Sequence, residues 1–389
     1  AALLRAPLAM PFVTPSLAVS NCSLPRSPLP VRDGSLCSVP ACAACGRLLP
    51  SLLLIGSIKT GSTLLWGRLV DYSEGAIDTG RTTDKGYISK KEKDFFGDPA
   101  QWRRGRGWYE RAWPKCPVSG ARTVVGIDAT PAYHVWYDAP KNMAAFYGRA
   151  LGQLRLVWML RDPVAKYWSY FWELKSYGGD WDRVTFDAFT APKLNRSREC
   201  LRRDPTSPLW PPSLPPPFGS CAPHLDHGLY HPQLQRWLEY FQPAQLLLVS
   251  FAGMVQRPAA VVRDVVLHAG LRRAQAERIA ASSVSRRVAK EKQNSKASGH
   301  GRMPPSWRRE VAALYAPFLD RFYSLVGEAG VPVSPCEERG TRFLDPPPQG
   351  EGEGEGGSAG AGEGDGKGEG SGVSGYSFGP AVHVPSAVL

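Results

Sequence analysis

The sequence has no apolar stretch approaching the roughly 20 residues of a membrane-spanning helix. Its most apolar early run, Leu8 to Val19, is broken by Pro11 and Pro15. A spanning helix is therefore not expected here, and any membrane anchor would have to lie upstream of Ala1. Cys42-Ala-Ala-Cys45 has no second C-x-x-C to complete a metal site. No metal is expected. Zinc-finger spacing, RNA-binding aromatic motifs and basic heptads are also absent, which argues against nucleic acid as the partner of a chain with a formal charge of +12. Basic residues outnumber acidic ones outside the C-terminal tail. Residues 346–389 carry six acidic side chains against Lys367 alone, a charge of −5, so residues 1–345 carry +17. So basic a body favours anionic partners, either nucleotide phosphates or a sulfated or carboxylated polymer.

With 43% hydrophobic residues over 389 positions, the chain can bury a large core. Residues 1–46, rich in proline, serine and cysteine, read as a stem or loosely ordered lead-in. Over 47–336, the apolar runs Leu52–Ile55, Val124–Ile127, Leu154–Leu160 and Leu246–Ser250 alternate with helical patterns. That alternation predicts a single α/β domain whose central parallel sheet is covered by helices. Pro205 to Pro223 lie in a proline-rich insertion, 202–223, too proline-dense for helix or central strand. Apolar residues recurring from Ser306 predict an amphipathic helix that stops at Gly327 and bends at Pro317. The Gly/Glu-rich tail, 337–389, is expected to be disordered.

The eight cysteines are even in number and lie outside the apolar strands, as disulfides in an oxidising compartment would. Cys200 and Cys221 bracket the insertion; a bridge between them closes a 22-residue loop and contributes about 3 kcal/mol. Asn21-Cys22-Ser23 and Asn195-Arg196-Ser197 are glycosylation sequons, consistent with the secretory route.

The chemistry concentrates in four stretches. Leu52 to Ile55 read as a buried strand, Gly56 to Gly61 turn the chain, and Ser62-Thr63-Leu64-Leu65-Trp66 starts a helix. A strand, glycine turn and helix N-terminus form an anion site, P-loop-like in outline, to which Lys59, Thr60, Ser62 and Thr63 add donors. The glycines match G-x-x-x-x-G-K-[ST], but the lysine, Lys59, precedes Gly61. The second stretch ends an apolar strand at Arg161. There Asp162 caps a helix with Pro163 in its first turn, and Ser169 lies eight residues beyond the arginine. Arginine's planar fork suits bidentate phosphate contact, and a hydroxyl two turns into the helix can reach the same group. Third is Lys90-Lys91-Glu92-Lys93-Asp94-Phe95-Phe96, which by composition is a solvated charge cluster beside an apolar anchor. Fourth is Gly126-Ile-Asp128-Ala-Thr-Pro-Ala-Tyr133, following another strand.

Lys59-Thr-Gly-Ser-Thr63 resembles the 5′-phosphosulfate loop of sulfotransferases that use 3′-phosphoadenosine 5′-phosphosulfate (PAPS), and Arg161 to Ser169 resembles their 3′-phosphate motif, about 100 residues on and in the expected order. Lys166 stands where that motif more often has arginine. Lys-Glu-x-x-Phe-Phe resembles the segment of heparan-type and chondroitin-type carbohydrate sulfotransferases in which the glutamate is the base. The Asp128 to Tyr133 stretch is similar to their substrate loop, with Ala129 where heparan 3-O-sulfotransferases have lysine. That alanine, with the cysteines preceding Gly228-Leu-Tyr230 and Leu234-Gln-Arg-Trp237-Leu, is closer to N-acetylgalactosamine 4-sulfate 6-O-sulfotransferases. The resemblance covers about residues 50–330.

It implies sulfuryl transfer from PAPS to a hydroxyl of an acidic or neutral polysaccharide, without a metal. Lys59 and Glu92 would be catalytic; Lys59, Thr60, Gly61, Ser62, Thr63, Arg161 and Ser169 would hold the donor; Lys91, Asp128 and Tyr133 would meet the acceptor. Lys296 and Arg302, in a basic glycine-containing loop, resemble residues of a loop that closes over the nucleotide, although on composition the loop is equally a solvated one. The expected location is the Golgi lumen, as part of a type II membrane protein. Two alternatives remain at this point. One is a P-loop nucleotide kinase, for which Asp128 could serve a metal; the other is a basic glycan-binding protein without activity.

Overall fold

The computed structural model describes residues 46–80, 91–115, 124–203, 224–285, 301–338 and 340–344. The expected stem, nearly all of the proline-rich insertion and the Gly/Glu-rich stretch of the tail lie outside the described residues, as do Cys221 and Lys296. Six strands form one sheet in the order β2-β3-β1-β4-β5-β6: β1 Pro50–Gly56, β2 Ile77–Asp78, β3 Val125–Ala129, β4 Arg155–Leu160, β5 Leu246–Ser250 and β6 Val333–Ser334. Every neighbouring pair is parallel. The four apolar runs are its four longer strands; the two-residue edge strands carry too little pattern to be read in advance.

Residues of β1, β4 and β5 alternate between two buried faces, as strands covered on both sides must. Leu53, Ile55, Leu156, Trp158, Leu160, Leu246 and Leu248 enter one core, and Leu52, Leu54, Val157, Met159, Leu247 and Val249 the other. Helices of nine or more described residues are α1 Ser62–Asp71, α2 Ala139–Tyr147, α3 Pro163–Lys175, α4 Phe186–Arg203, α5 Tyr230–Leu238, α6 Pro258–His268, α7 Arg273–Ser285 and α8 Pro305–Ala329. Leu65 and Leu69 of α1 join α6 and α7 on the second face; Met143 and Phe146 of α2, Trp237 of α5 and Phe322 of α8 cover the first. A third core joins α3 and α4 to Val311, Leu314, Tyr315 and Phe318 of α8. Among the described residues no helix is long and apolar enough to cross a membrane.

Two expectations need adjusting. Helix α8 passes Gly327 and ends at Gly330, whose φ of 66° closes it, with the amides of Gly330 and Val331 reaching back to Gly327 and Val326. Folded chain also continues past 336, since Leu344 is buried and its amide donates to the Tyr323 hydroxyl at 2.9 Å.

Strand order places the site. β3 lies on one side of β1 and β4 on the other, so the loops leaving β1 and β4 diverge at the point where the connections reverse direction. In open parallel sheets that crevice, at the carboxyl ends of the strands, is where ligands bind. Gly56 ends β1 there with no room for a side chain: a Cβ would lie 2.7 Å from the Trp158 indole and 2.8 Å from the His134 Cβ. Gly56→Ala is expected to lower stability by about 1–3 kcal/mol through overpacking, read as a reduced urea midpoint with an unchanged m-value.

Candidate active site

The turn after β1 is braced from within. Trp158 Nε1 donates to Ser57 Oγ at 2.9 Å, the Thr60 hydroxyl donates to the Ser57 carbonyl at 2.7 Å, and the Ser57 amide donates back to Thr60 Oγ1 at 3.2 Å. The Thr60 hydroxyl is thereby used inside the loop. Lys59 sits at a φ of 63°, in the left-handed region that non-glycine residues seldom occupy. Gly61, with a φ of 81°, starts α1 without a side-chain cap. The first-turn amides therefore lack the partner that a Ser or Asp cap supplies elsewhere, and Ser62 and half-buried Thr63 stand at that end.

Arg161 comes to this turn from the end of β4. Its guanidinium donates to the Lys59 carbonyl at 3.5 Å and stacks 4.6 Å from the centre of the Phe251 ring, while its own carbonyl accepts from the Tyr230 hydroxyl at 2.9 Å. Burial lowers its pKa, opposed by Asp162. Phe251 also underlies the first loop, 3.1 Å from where a Cβ on Gly61 would be. One ring, directly after β5, thus supports both loops, as sequence reading missed; its signal was its place beside the end of a strand. Asp162 caps α3 as expected, accepting from the amides of Val164 and Ala165.

Ser169 lies half-buried on α3, one turn before Glu173 on the same face. Glu173 was also missed, although the spacing from Ser169 pointed to it: its carboxylate pairs with Lys59 Nζ at 3.3 Å. Lys166 faces elsewhere. It is buried, its ammonium donates to the His227 carbonyl, and burial pushes its pKa down to about 7 against the opposing pull of Asp226. It is therefore a prop inside the fold rather than a phosphate ligand. Arg302 is exposed beside Gly301, whose carbonyl accepts from Trp168 of α3 at 3.0 Å.

The Glu92 segment is built on the end of β3. The Glu92 amide donates to the Ala129 carbonyl at 2.8 Å, and the amides of Lys93 and Asp94 donate to Thr130 Oγ1 at 3.0 and 3.3 Å. Glu92 has a φ of 62° and projects a side chain 47% exposed, paired with Lys91 Nζ. Phe95 and Phe96 are fully buried anchors, Phe95 stacking on Tyr109 at 4.4 Å. Asp128 and Tyr133, expected to meet substrate, are instead fully buried. The Asp128 carboxylate accepts from the hydroxyls of Tyr109, Thr130 and Tyr133 at 2.7, 2.8 and 3.0 Å. They are supports rather than contacts, because a carboxylate so enclosed needs every donor within reach. Buried Lys93 lies close, with its ammonium on the Thr79 carbonyl at 2.9 Å and its pKa lowered by burial against the opposing pull of Asp128 and Asp78.

Tyr177, 59% exposed and one turn beyond Glu173, marks the rim between the two sides; partial burial and then the charges of Glu173 and Glu92 raise the pKa of its hydroxyl. Among the described residues no group of three histidine, cysteine, aspartate or glutamate side chains is arranged to hold a metal. Asn195 is exposed, on helix α4 rather than on a loop. The pairing of Cys200 with Cys221 falls on a residue outside the described ones.

No family model matches the sequence. Human heparan sulfate glucosamine 3-O-sulfotransferase 6 is 25% identical over 238 residues, 58% of this chain and 61% of that protein. Mouse bifunctional heparan sulfate N-deacetylase/N-sulfotransferase 3 is 28% identical over 221 residues, 57% of this chain and 22% of that protein. The chain thus spans about three-fifths or less of these curated relatives. A solved sulfotransferase from Alicyclobacillus acidocaldarius is 20% identical with a TM-score of 0.47, over 72% of this chain and 96% of that one.

The carboxyl of Asp94 generates a pH prediction. Burial, then the charges of Glu92, Asp128 and Asp98, raise its pKa from the ordinary 3.8 to about 7. Because the folded state holds this proton more tightly than the unfolded one, the stability it contributes is full below pH 3.8 and is lost as pH rises to about 7. Asp94→Asn keeps the neutral form at every pH. Its stability relative to the parent should be unchanged at pH 4 and higher by about 1–4 kcal/mol at pH 8, measured by urea unfolding at both.

Proposed function

We propose that this chain, a distant relative of heparan sulfate sulfotransferases, is a carbohydrate sulfotransferase that moves a sulfuryl group from PAPS to a sugar hydroxyl. The observation that carries the reading is the meeting of an uncapped helix N-terminus, Lys59 and Arg161 in one crevice, with Glu92 held on the neighbouring strand end. Converging amides and cations fit the phosphates of such a donor. When bound, PAPS supplies a sulfuryl group on a good leaving phosphate.

Lys59 and the first-turn amides of α1 neutralise charge on the 5′-phosphate oxygen as its bond to sulfur breaks. Arg161 and Ser169 hold the 3′-phosphate and fix the nucleotide's direction, and Lys296 and Arg302 belong to the loop that closes over it. Glu92, half-exposed and pointing away from the apolar anchors beneath it, takes the proton of the acceptor hydroxyl as its oxygen bonds to sulfur. Lys91 keeps that carboxylate paired until the acceptor arrives, and the exposed ring of Tyr177 offers a sugar an apolar surface alongside. The products are the sulfated sugar, 3′,5′-diphosphoadenosine (PAP) and a proton on Glu92. The acceptor is a polysaccharide, the compartment the Golgi lumen, and the bridge between Cys200 and Cys221 belongs to that oxidising setting.

The kinase alternative is weakened because the carboxylate it needs, Asp128, is fully buried among three hydroxyl donors. A glycan-binding protein without activity would have no use for a braced anion loop beside a glutamate.

Transfer of labelled sulfate from PAPS to a panel of glycans tests the proposal. No transfer to any acceptor, with tight glycan binding retained, would sink it. Glu92→Gln should lower turnover by roughly 10²–10⁴ with little change in donor affinity; near-normal turnover would remove the base assignment. Arg161→Ala should weaken PAP by about 2–4 kcal/mol and leave 5′-AMP almost unaffected. Calorimetry giving equal losses for both nucleotides would move the 3′-phosphate site elsewhere.

A further inference from the structure

Glu173 places a negative charge where an anion is to bind. Its carboxylate lies 3.3 Å from Lys59 Nζ, and neither partner is deeply buried, with side chains 29% and 21% exposed. The backbone beneath Lys59 is fixed: it holds a left-handed φ, its carbonyl accepts from Arg161, and Thr60 ties the turn to Ser57. Glu173 is fixed as well, about three turns into a helix whose start is capped by Asp162. What can move is the lysine side chain, which has four rotatable carbons and an ammonium that reaches either oxygen set.

A carboxylate in contact with the lysine opposes any phosphate brought to that lysine, because like charges a few ångströms apart repel and both compete for one ammonium. We propose that Glu173 is a latch. It holds the Lys59 ammonium while the nucleotide is absent, yields it on entry, and takes it back as the spent nucleotide leaves. The inference rests on the sulfotransferase reading of the same crevice and adds a positioning residue to it. Glu173 acts through Lys59, lowering nucleotide affinity in exchange for faster release.

The experiment uses PAP with the whole chain, and compares the parent, Glu173→Gln, Lys59→Ala and the double variant by calorimetry and stopped-flow. Glutamine keeps the shape and removes the charge. In the parent background it should tighten PAP by about two- to fivefold, the range expected of a partly exposed ion pair, and slow its dissociation. In the Lys59→Ala background the gain should fall to less than half of that, because only direct repulsion of the nucleotide remains. Unchanged or weaker binding by Glu173→Gln would overturn the latch, as would an equal gain in both backgrounds. Failure of the parent itself to bind PAP would overturn the sulfotransferase reading and the latch together, so the two failures are distinguishable. Unfolding curves of all four proteins separate a loss of binding from a loss of fold.

Discussion

The carboxylate of Asp128, closed off from water at the end of β3, is the constraint on which the Glu92 segment depends. Three hydroxyls satisfy it, and one of them, that of Thr130, also accepts from the amides of Lys93 and Asp94. A buried charge of this kind stands only if its donors stay in place. The same bonds that keep Asp128 satisfied therefore hold the Glu92 segment against the sheet. Buried Lys93 offsets the charge from the other side, so that support and electrostatics come from one cluster.

Two of the residues assigned to chemistry, Lys59 and Glu92, hold uncommon backbone conformations, as does Asp94 beside them. Lys59, Glu92 and Asp94 all have positive φ, which costs about 1–3 kcal/mol each and persists only where neighbours over-determine it. Here they do. The Lys59 carbonyl receives Arg161, the Glu92 amide is bound to Ala129, and the Asp94 carbonyl accepts from the amides of Gly97 and Asp98. Rigid strands and aromatic rings beneath, buried Trp158 and half-buried Phe251 under the Lys59 turn and buried Phe95 and Phe96 under Glu92, carry that cost.

Much of the frame was legible because a buried parallel strand is apolar on both faces, so Leu52 to Ile55 and Leu154 to Leu160 announce themselves. The donor loops were legible for a related reason: glycine spacing and an arginine at a strand end are local patterns. What escaped is non-local. Asp128 and Tyr133 read as exposed substrate contacts because nothing within their own stretch reveals that Tyr109, nineteen residues earlier, closes over them. Phe251 serves both donor loops through a fold that brings β5 beside β4. The end of α8 was misplaced because Gly327 tolerates helix, and only the backbone angle at Gly330 marks the stop.

The central position of β1 has a consequence for how the protein is made. Its two partners come later in the chain, Pro50 pairing with Gly126 and Leu52 with Arg155, that is 76 and 103 residues downstream. During synthesis this strand emerges before either partner as a bare apolar segment with both edges open; the first neighbour comes 76 residues later and the second 103. Non-local parallel pairing of this kind is slow to nucleate. The turn after β1 is thus written before its partners yet assembled late, and until then Leu52 to Ile55 are the segment that a chaperone has most reason to cover.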